Sequence, residues 1–259
     1  KVGIVRPTFE EYPNRLKLEQ IVTYQAQCPN FSYSADDLMT YFADKDIESL
    51  LLINPDNPTG NYIPYADCLR LADWCQQRNI LFVLDESFID FSVEHPTFFK
   101  DDILEQYSNL VVIKSISKSY GVPSLRLGIL ATSNVDVMTV IRRSVSIWNI
   151  NSFAEFFLQI LGKYEASYQQ AMDEFRAERA RFVDELHKVS FLRVLPSEAN
   201  YLLCEVKQPH TPRELAIRLL KDYDILIKDC TSKCNAPYIR IAVRDTVDNN
   251  RLIDAFSQL

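Results

Sequence analysis

The sequence predicts an α/β fold in which a mostly parallel sheet forms a large domain and a smaller α+β domain follows it. Three observations support this prediction. Short β-rich runs alternate with helical runs over residues 1–145, as in βαβ units. The apolar runs end in polar, turn-rich segments, and open α/β sheets bind ligands where the carboxyl ends of parallel strands meet. The 259 residues are 47% hydrophobic, which is enough for a large core, and roughly 150 residues per domain suggests one or two domains.

The elements of the first part of the chain follow from apolar runs and helical periodicity. Apolar runs predict strands over residues 49–53, 80–84 and 110–113. Periodicity predicts helices over residues 35–43 and 65–77, and Pro64 precedes the second helix, near the first turn, where proline is favoured. Residues 1–150 are therefore expected to form the large domain.

The second part of the chain begins with a long helical segment, residues 151–190, which we expect to connect two domains. One apolar face of this segment is marked by Ala154, Phe157, Leu158 and Leu161, and another by Phe175, Phe182 and Leu186. The remainder reads as strands at 191–194, 201–204, 225–227 and 238–242, with helices near 212–221 and after 242. Residues 191–259 are therefore expected to form a small domain.

Composition excludes several classes of function. The net charge is −7 and no block is rich in lysine and arginine, which argues against a nucleic-acid surface. No apolar run approaches the ~18–20 residues that cross a bilayer, and the start lacks the pattern of a signal peptide, so a cytoplasmic protein is expected. The six cysteines lack CxxC spacing, which favours free thiols over disulfides or a metal site. A small-molecule ligand fits this composition best.

One polar cluster, residues 115–121, carries a candidate nucleophile. Lys118 stands close to Ser115 and Ser117, and Arg126 follows eight positions later. A primary amine in such surroundings can form a Schiff base with an aldehyde cofactor, and the two serines and the arginine can hold a phosphate. Taken alone, the Ser-x-Ser-Lys pattern also fits an ordinary surface turn. Together with the polar segment at residues 54–60, it points to pyridoxal phosphate.

Three further residues suit the ring of such a cofactor. Asp85 ends an apolar run, so its carboxylate should be partly buried and need a cation, which a pyridinium nitrogen would supply. Asn57 lies between Pro55 and Pro58 and can donate to a phenolic oxygen. Phe9 could stack on the ring. The alternatives are a strand-end cap for Asp85 and a core position for Phe9.

A candidate residue for binding the substrate lies near the carboxyl end of the chain. Arg240 interrupts the apolar strand at residues 238–242, where an unpaired charge would be costly. A substrate carboxylate, bound bidentately through two N–H groups of the guanidinium, would neutralise that charge.

Taken together, these residues closely resemble fold-type I pyridoxal-phosphate enzymes of the class I/II aminotransferase family. The resemblance covers essentially the whole chain and implies the aspartate aminotransferase-like fold. Within the family the chain is most similar to the group that contains histidinol-phosphate aminotransferase and L-threonine-O-3-phosphate decarboxylase. The segments that carry this similarity are residues 7–12, 85–91, 199–203 and 225–230.

The resemblance implies a role for each candidate residue. Lys118 would be the Schiff-base lysine and Asp85 the partner of the pyridine nitrogen. The cofactor would be held by Phe9, Asn57, Asp85, Ser115, Ser117, Lys118 and Arg126, and the substrate by Asn200, Lys228 and Arg240. No metal is implied. A homodimer is the implied assembly, because such enzymes place their active sites at a dimer interface.

Three departures from the family pattern leave alternatives open. Phe88 stands where many aminotransferases have tyrosine, and this favours the decarboxylase pattern. Lys228 stands where the named relatives have an arginine that contacts the substrate's distal anion, and lysine keeps the charge but loses the fork. The resemblance also begins part way along the family's sequence and so omits part of the family's phosphate site, which it implies is supplied either by residues ahead of Lys1 or by a second chain. Transamination ranks first, α-decarboxylation second, and a non-catalytic fragment is the alternative from another class.

Overall fold

A computed structural model describes all residues, 1–259, and contains two sheets. The larger sheet has the strand order β2-β1-β3-β4-β5-β6. Its first five strands in that order pair in parallel, and β6 pairs antiparallel with β5. Its strands are β1 (Val2–Arg6), β2 (Ile21–Gln25), β3 (Ser49–Ile53), β4 (Leu81–Asp85), β5 (Leu110–Ser115) and β6 (Gly128–Ala131).

The smaller sheet is antiparallel throughout and has the order β7-β8-β10-β9. Its strands are β7 (Leu192–Val194), β8 (Tyr201–Val206), β9 (Lys228–Asp229) and β10 (Tyr238–Ala242). Arg240 pairs directly with Lys228 across β9 and β10, so their side chains lie on one face of this sheet.

The helices fill the connections between strands. The α-helices are α1 (Glu11–Asn14), α2 (Ala35–Phe42), α3 (Tyr65–Gln77), α4 (Asp101–Gln106), α5 (Ile116–Ser119), α6 (Val135–Ser144), α7 (Ser152–Leu161), α8 (Glu165–Leu186), α9 (Pro212–Tyr223), α10 (Thr231–Cys234) and α11 (Thr246–Ser257). Short 3-10 helices cover Leu18–Gln20, Ile89–Phe91, Pro123–Leu125 and Gly162–Tyr164. None of the helices combines the length and the hydropathy that a bilayer crossing requires.

Each sheet has its own hydrophobic core. The larger core packs helices α2 and α3 against β3, β4 and β5, and the smaller one packs α8, α9 and α11 against β7, β8 and β10. Cys230, Cys234 and Tyr238 belong by sequence to the smaller sheet's segment but pack into the larger core. Residues 230–238 therefore tie the two sheets together.

The predicted fold class is confirmed: an α/β structure with a mostly parallel large sheet. The predicted strand at 225–227 is wrong, because β9 begins only at Lys228. Helix α9 ends at Asp224 in the left-handed conformation, and the Ile225 N–H donates to Leu219 O. Ile225 thus completes the end of the helix, and pairing with β10 begins only at Lys228. The domain division at 150 and 190 stays a prediction.

Helix α7 has a more exposed apolar face than its periodicity predicts. Only Ala154 is buried, while Leu158 is 39% and Phe156 60% exposed. Phe153, on the same helix, is 79% exposed, and Trp148, which precedes the helix, is 89% exposed.

Candidate active site

The carboxyl ends of β3, β4 and β5 open onto a cavity of about 410 Å³. All seven residues predicted to hold a cofactor line it, together with Tyr12, Ser87, Phe88 and Lys114. These residues come from distant parts of the sequence, and the parallel strand order brings their ends together. The seven are Phe9, Asn57, Asp85, Ser115, Ser117, Lys118 and Arg126.

Asp85 is a buried carboxylate, only 6% exposed, at the end of β4. Its Oδ2 accepts a hydrogen bond from the Tyr12 hydroxyl at 2.6 Å, and its Oδ1 accepts one from the Ser87 N–H at 2.8 Å. Burial, followed by the charge of Asp85, raises the pKa of Tyr12 well above its usual range, so Tyr12 keeps its proton and donates. The carboxylate forms no ion pair with any lysine, arginine or histidine of the chain.

Ser87 connects the ends of two strands. Besides donating to Asp85 through its backbone, it accepts from the Ser115 N–H at 2.9 Å through its hydroxyl. This bond fixes the end of β5, where the lysine-bearing helix α5 begins, relative to the carboxylate at the end of β4.

Both sheets hold the loop that carries Asn57. The Asn57 Oδ1 accepts from Arg240 Nη1 at 2.7 Å, and the Tyr201 hydroxyl donates to the carbonyl of Asp56 at 2.7 Å. Gly60 adopts φ +76°, and a Cβ at this position would lie 2.1 Å from Ser197 Oγ. A side chain at Gly60 is therefore excluded both by conformation and by contact.

Two acidic residues beside the site are deeply buried. Burial raises the pKa of Asp56 to about 7, although hydrogen bonds from Thr59 and the Asn57 N–H oppose the rise. Burial likewise raises the pKa of Glu86 to about 7, opposed by hydrogen bonds from Thr97 and the Phe98 N–H. Neither side chain lines the cavity, so we assign both to support of the loops around it.

Two lysines line the cavity, and the structure distinguishes them. Lys114 Nζ forms an ion pair with Asp90 Oδ1 at 2.6 Å, with both side chains at least 85% buried. Asp90 also accepts from the Ser119 hydroxyl at 2.6 Å. Lys118 is exposed, lies with its Nζ 5.7 Å from the centre of the Phe88 ring, and has no hydrogen bond or ion pair. Lys118 is therefore the lysine whose amine is free to react.

The other predicted phosphate-binding residues lie together near the start of α5 and the loop before β6. Ser117 is 8% exposed, and its hydroxyl donates to the carbonyl of Leu127 at 3.4 Å. Arg126 adopts φ +58°, is exposed, and donates only to the carbonyl of Pro123, at 3.1 Å. Phe9 is 45% exposed at the cavity wall, which contradicts its alternative placement in the core.

The three predicted substrate residues lie outside the cavity wall. Arg240 is connected to the cavity wall by its hydrogen bond to Asn57, which lines the cavity. The Arg240 guanidinium carbon lies 5.0 Å from the centre of the Tyr201 ring. Lys228 is exposed on the same face as Arg240. Asn200 is partly buried, and its carbonyl accepts from the Val243 N–H at 3.0 Å. The structure brings Arg240 and Lys228 together but gives the Asn200 side chain no partner in the site.

Sequence reasoning missed three residues of the cavity wall. Tyr12 ends the segment 7–12 that carries the family resemblance, but nothing in its spacing indicates a bond to Asp85. Ser87 follows Asp85 by two positions, and a bond back to that carboxylate is a common local pattern that could have been predicted. Lys114 is hidden from sequence reasoning because it lies on β5 and its partner, Asp90, lies in the 3-10 helix after β4.

The chain is similar to known proteins along nearly its whole length. The sequence profile of the family "Aminotransferase class I and II" matches residues 1–256. The chain is 35% identical to threonine-phosphate decarboxylase of Salmonella typhimurium, over 97% of this chain and 69% of that protein. It is 31% identical to CMP-5'-(3-aminopropyl)phosphonate synthase of Streptomyces rubellomurinus, over 98% of this chain but only 40% of that protein.

A solved structure shows the same fold. Histidinol-phosphate aminotransferase from Clostridium acetobutylicum superimposes with a TM-score of 0.87 at 26% identity, covering 99% of this chain and 77% of that one. The chain spans about two fifths of the length of the first curated relatives that it matches.

Proposed function

The chain belongs to the class I and II aminotransferase family, and from that premise we propose that it is an enzyme acting at the α-carbon of an amino acid with a distal phosphate or a similar anion. The cofactor of this family is pyridoxal phosphate. One observation carries the proposal: all seven residues expected to hold that cofactor line a single cavity.

The chemistry of the cavity wall fits pyridoxal phosphate. Asp85 is buried, carries no cationic partner in the chain, and borders the cavity, which suits it to a protonated ring nitrogen. Lys118 offers an unpaired amine, and Ser115, Ser117 and Arg126 offer donors for a phosphate. When bound, pyridoxal phosphate withdraws electrons from the substrate α-carbon and so stabilises the charge that develops there.

Residues of the chain would bind the substrate and move its proton. Arg240 binds the substrate carboxylate and thereby sets which bond of the α-carbon is aligned for cleavage. Lys118 Nζ acts as the general base or acid that moves the proton at the α-carbon. Phe88 covers one side of Lys118 without offering it a hydrogen bond.

Transamination is the first candidate outcome, because it is the reaction after which the family is named. Decarboxylation is the second, and two observations favour it. Phe88 supplies no hydroxyl to the ring, as in the decarboxylase pattern, and the chain is 35% identical to a threonine-phosphate decarboxylase. The two outcomes share the same cavity and differ in which bond Arg240 aligns.

The relatives' names support a substrate with a distal anion. They include threonine-phosphate decarboxylase, histidinol-phosphate aminotransferase and a synthase of an aminopropyl phosphonate. In this chain the exposed ammonium of Lys228, on the same face as Arg240, is available to such an anion.

We also propose that the protein is cytoplasmic and forms a homodimer. The apolar side chains on and before α7, Trp148, Phe153 and Phe156, are more than half exposed and would suit contact with a second copy.

The test is an absorbance titration of the purified protein with pyridoxal phosphate, followed by product assays with O-phospho-L-threonine. We expect a visible absorbance band that disappears in Lys118→Ala, and either a keto acid or carbon dioxide as product. Lys163→Ala is the matched control, because Lys163 lies in the 3-10 helix Gly162–Tyr164 and does not line the cavity. A Lys118→Ala variant that keeps the band would overturn the proposal.

A further inference from the structure

Besides Lys228, a second lysine, Lys233, lies near Arg240. It does not line the cavity, and the family resemblance gives it no role. Lys233 lies on α10, the four-residue helix between β9 and β10. The neighbouring Cys230 and Cys234 anchor this segment in the larger core. The position of Lys233 between the two sheets is therefore fixed by packing, although its side chain is only partly buried.

Lys233 has no partner in the chain. It forms no ion pair and no hydrogen bond. Its charged neighbours include Glu10, Arg240 and Asp56, and burial lowers its pKa. An ammonium group that is partly withdrawn from water and left unpaired is costly, and a bound anion would offset that cost.

The nearby carboxylates are already engaged elsewhere. Glu10 accepts from Arg6 Nη1 at 3.2 Å. Asp56 accepts from the Thr59 hydroxyl at 2.9 Å and from the Asn57 N–H at 2.8 Å. Asp229, which follows Lys228, accepts from the Thr231 N–H at 2.8 Å. The segment from 228 to 240 thus presents three cations without a carboxylate paired to any of them.

We infer that Lys228 and Lys233 together form the subsite for the distal anion of the substrate, a phosphate or phosphonate, while Arg240 holds the α-carboxylate. Lys228 pairs with Arg240 across β9 and β10, and Lys233 lies on the helix between those strands. Two ammonium groups, one on β9 and one on α10, suit a doubly charged tetrahedral group better than a planar carboxylate, for which a guanidinium is matched.

This inference rests on the proposed function for the nature of the substrate, but it can be tested without a reaction. Phosphonopropionate carries a carboxylate and a distal phosphonate and has no amino group, so it can bind but cannot react. Butyrate has the carboxylate alone. Binding of both to the protein loaded with pyridoxal phosphate is measured by calorimetry for the wild type, Lys233→Met and Lys233→Arg.

We expect Lys233→Met to weaken phosphonopropionate about tenfold or more, since a hydrogen bond to a charged group is lost. Butyrate affinity should be unchanged, and Lys233→Arg should retain most of the phosphonate affinity. Lys221→Met is the matched control, because Lys221 is an exposed lysine of α9 without an ion pair. A melting curve for each variant establishes that it is folded.

Three results would overturn the subsite. They are unchanged phosphonopropionate affinity in Lys233→Met, an equal loss for both probes, and no phosphonopropionate binding by the wild type. Failure of the proposed function is distinguishable from these: a wild type that binds phosphonopropionate through Lys233 but converts no amino acid keeps the subsite and loses the enzyme activity.

Discussion

The two halves of the cavity are built differently. The ring half, formed by Tyr12, Asn57 and Asp85, is held by hydrogen bonds within the chain, and Asn57 and Asp85 are less than 10% exposed. In the phosphate half, formed by Ser115, Ser117 and Arg126, Ser117 is also buried and donates to the Leu127 carbonyl, but the Arg126 side chain is exposed and donates only to the Pro123 carbonyl. The ring half is therefore set by folding, whereas the guanidinium of the phosphate half keeps donors available.

The difference shows what each half demands of a ligand. A preorganised wall loses little conformational freedom on binding, whereas an exposed arginine must be ordered by the ligand itself. The ring half should therefore determine the position and tilt of the cofactor ring. The phosphate half should supply much of the charge-dependent affinity for the cofactor. Substitutions should separate these effects, since changes in the ring half also affect stability.

The largest expected effect is that of Asp85→Ala. This substitution removes the acceptor of both the Tyr12 hydroxyl and the Ser87 N–H, and leaving a buried donor unpaired costs about 1–3 kcal/mol. We expect a loss of this size in the free energy of unfolding, measured with denaturant, together with loss of activity. Asp85→Asn is the control, because its amide oxygen can still accept one bond. If Asp85→Ala unfolds like the wild type, the ring half is not held as described.

A second, intermediate effect should appear in the dependence of stability on pH. The pKa of Asp56 rises from 3.8 to about 7 on folding, so between these values the native state binds a proton that the unfolded state releases. Stability should therefore fall as the pH rises through this window and level off above about 7. Glu86, raised to about 7, adds a slope of the same sign.

Asp56→Asn should reduce that slope. Asparagine can still accept from the Asn57 N–H and can donate to the Thr59 hydroxyl, so the loop keeps its bonds without the titrating group. The measurement is the urea midpoint between pH 5 and pH 8. A slope as steep as that of the wild type would show that Asp56 does not titrate in this range.

The smallest effect on stability is expected for Arg126→Ala. Arg126 is exposed and donates only to the Pro123 carbonyl, so the free energy of unfolding should change by no more than about 0.5 kcal/mol. The affinity of the Arg126→Ala variant for pyridoxal phosphate should nevertheless fall, as measured by absorbance titration. Asp85→Ala and Arg126→Ala together give the sharpest test of the comparison, since only the first should lower stability.

Much of the fold and the site could be predicted because local patterns determine them. The strand at 49–53, the helix at 65–77 and the strand at 238–242 have the predicted bounds, since apolar runs and helical periodicity are local. The seven cofactor residues converge because parallel strands end at one edge. Their roles toward a cofactor stay predictions.

What could not be predicted depends on contacts between distant segments. The Tyr12–Asp85 bond joins residues 73 positions apart, and the Lys114–Asp90 pair joins β5 to the 3-10 helix Ile89–Phe91 that follows β4. The fixed position of Lys233 depends on two cysteines packing into the other sheet's core. The exposed face of α7 has the same periodicity as a buried one, so sequence alone cannot distinguish them.

The hydrogen bond from Arg240 to Asn57 has a consequence for the order in which ligands arrive. In the proposed function the two side chains face different molecules, Arg240 a carboxylate and Asn57 the hydroxyl of a ring, yet each is the other's partner in the free protein. A ligand that draws either side chain away alters the binding free energy of the second ligand, and thermodynamic linkage makes that change equal in both directions. In the proposed function, cofactor and substrate carboxylate are thus reciprocal effectors, coupled through a single bond of 2.7 Å.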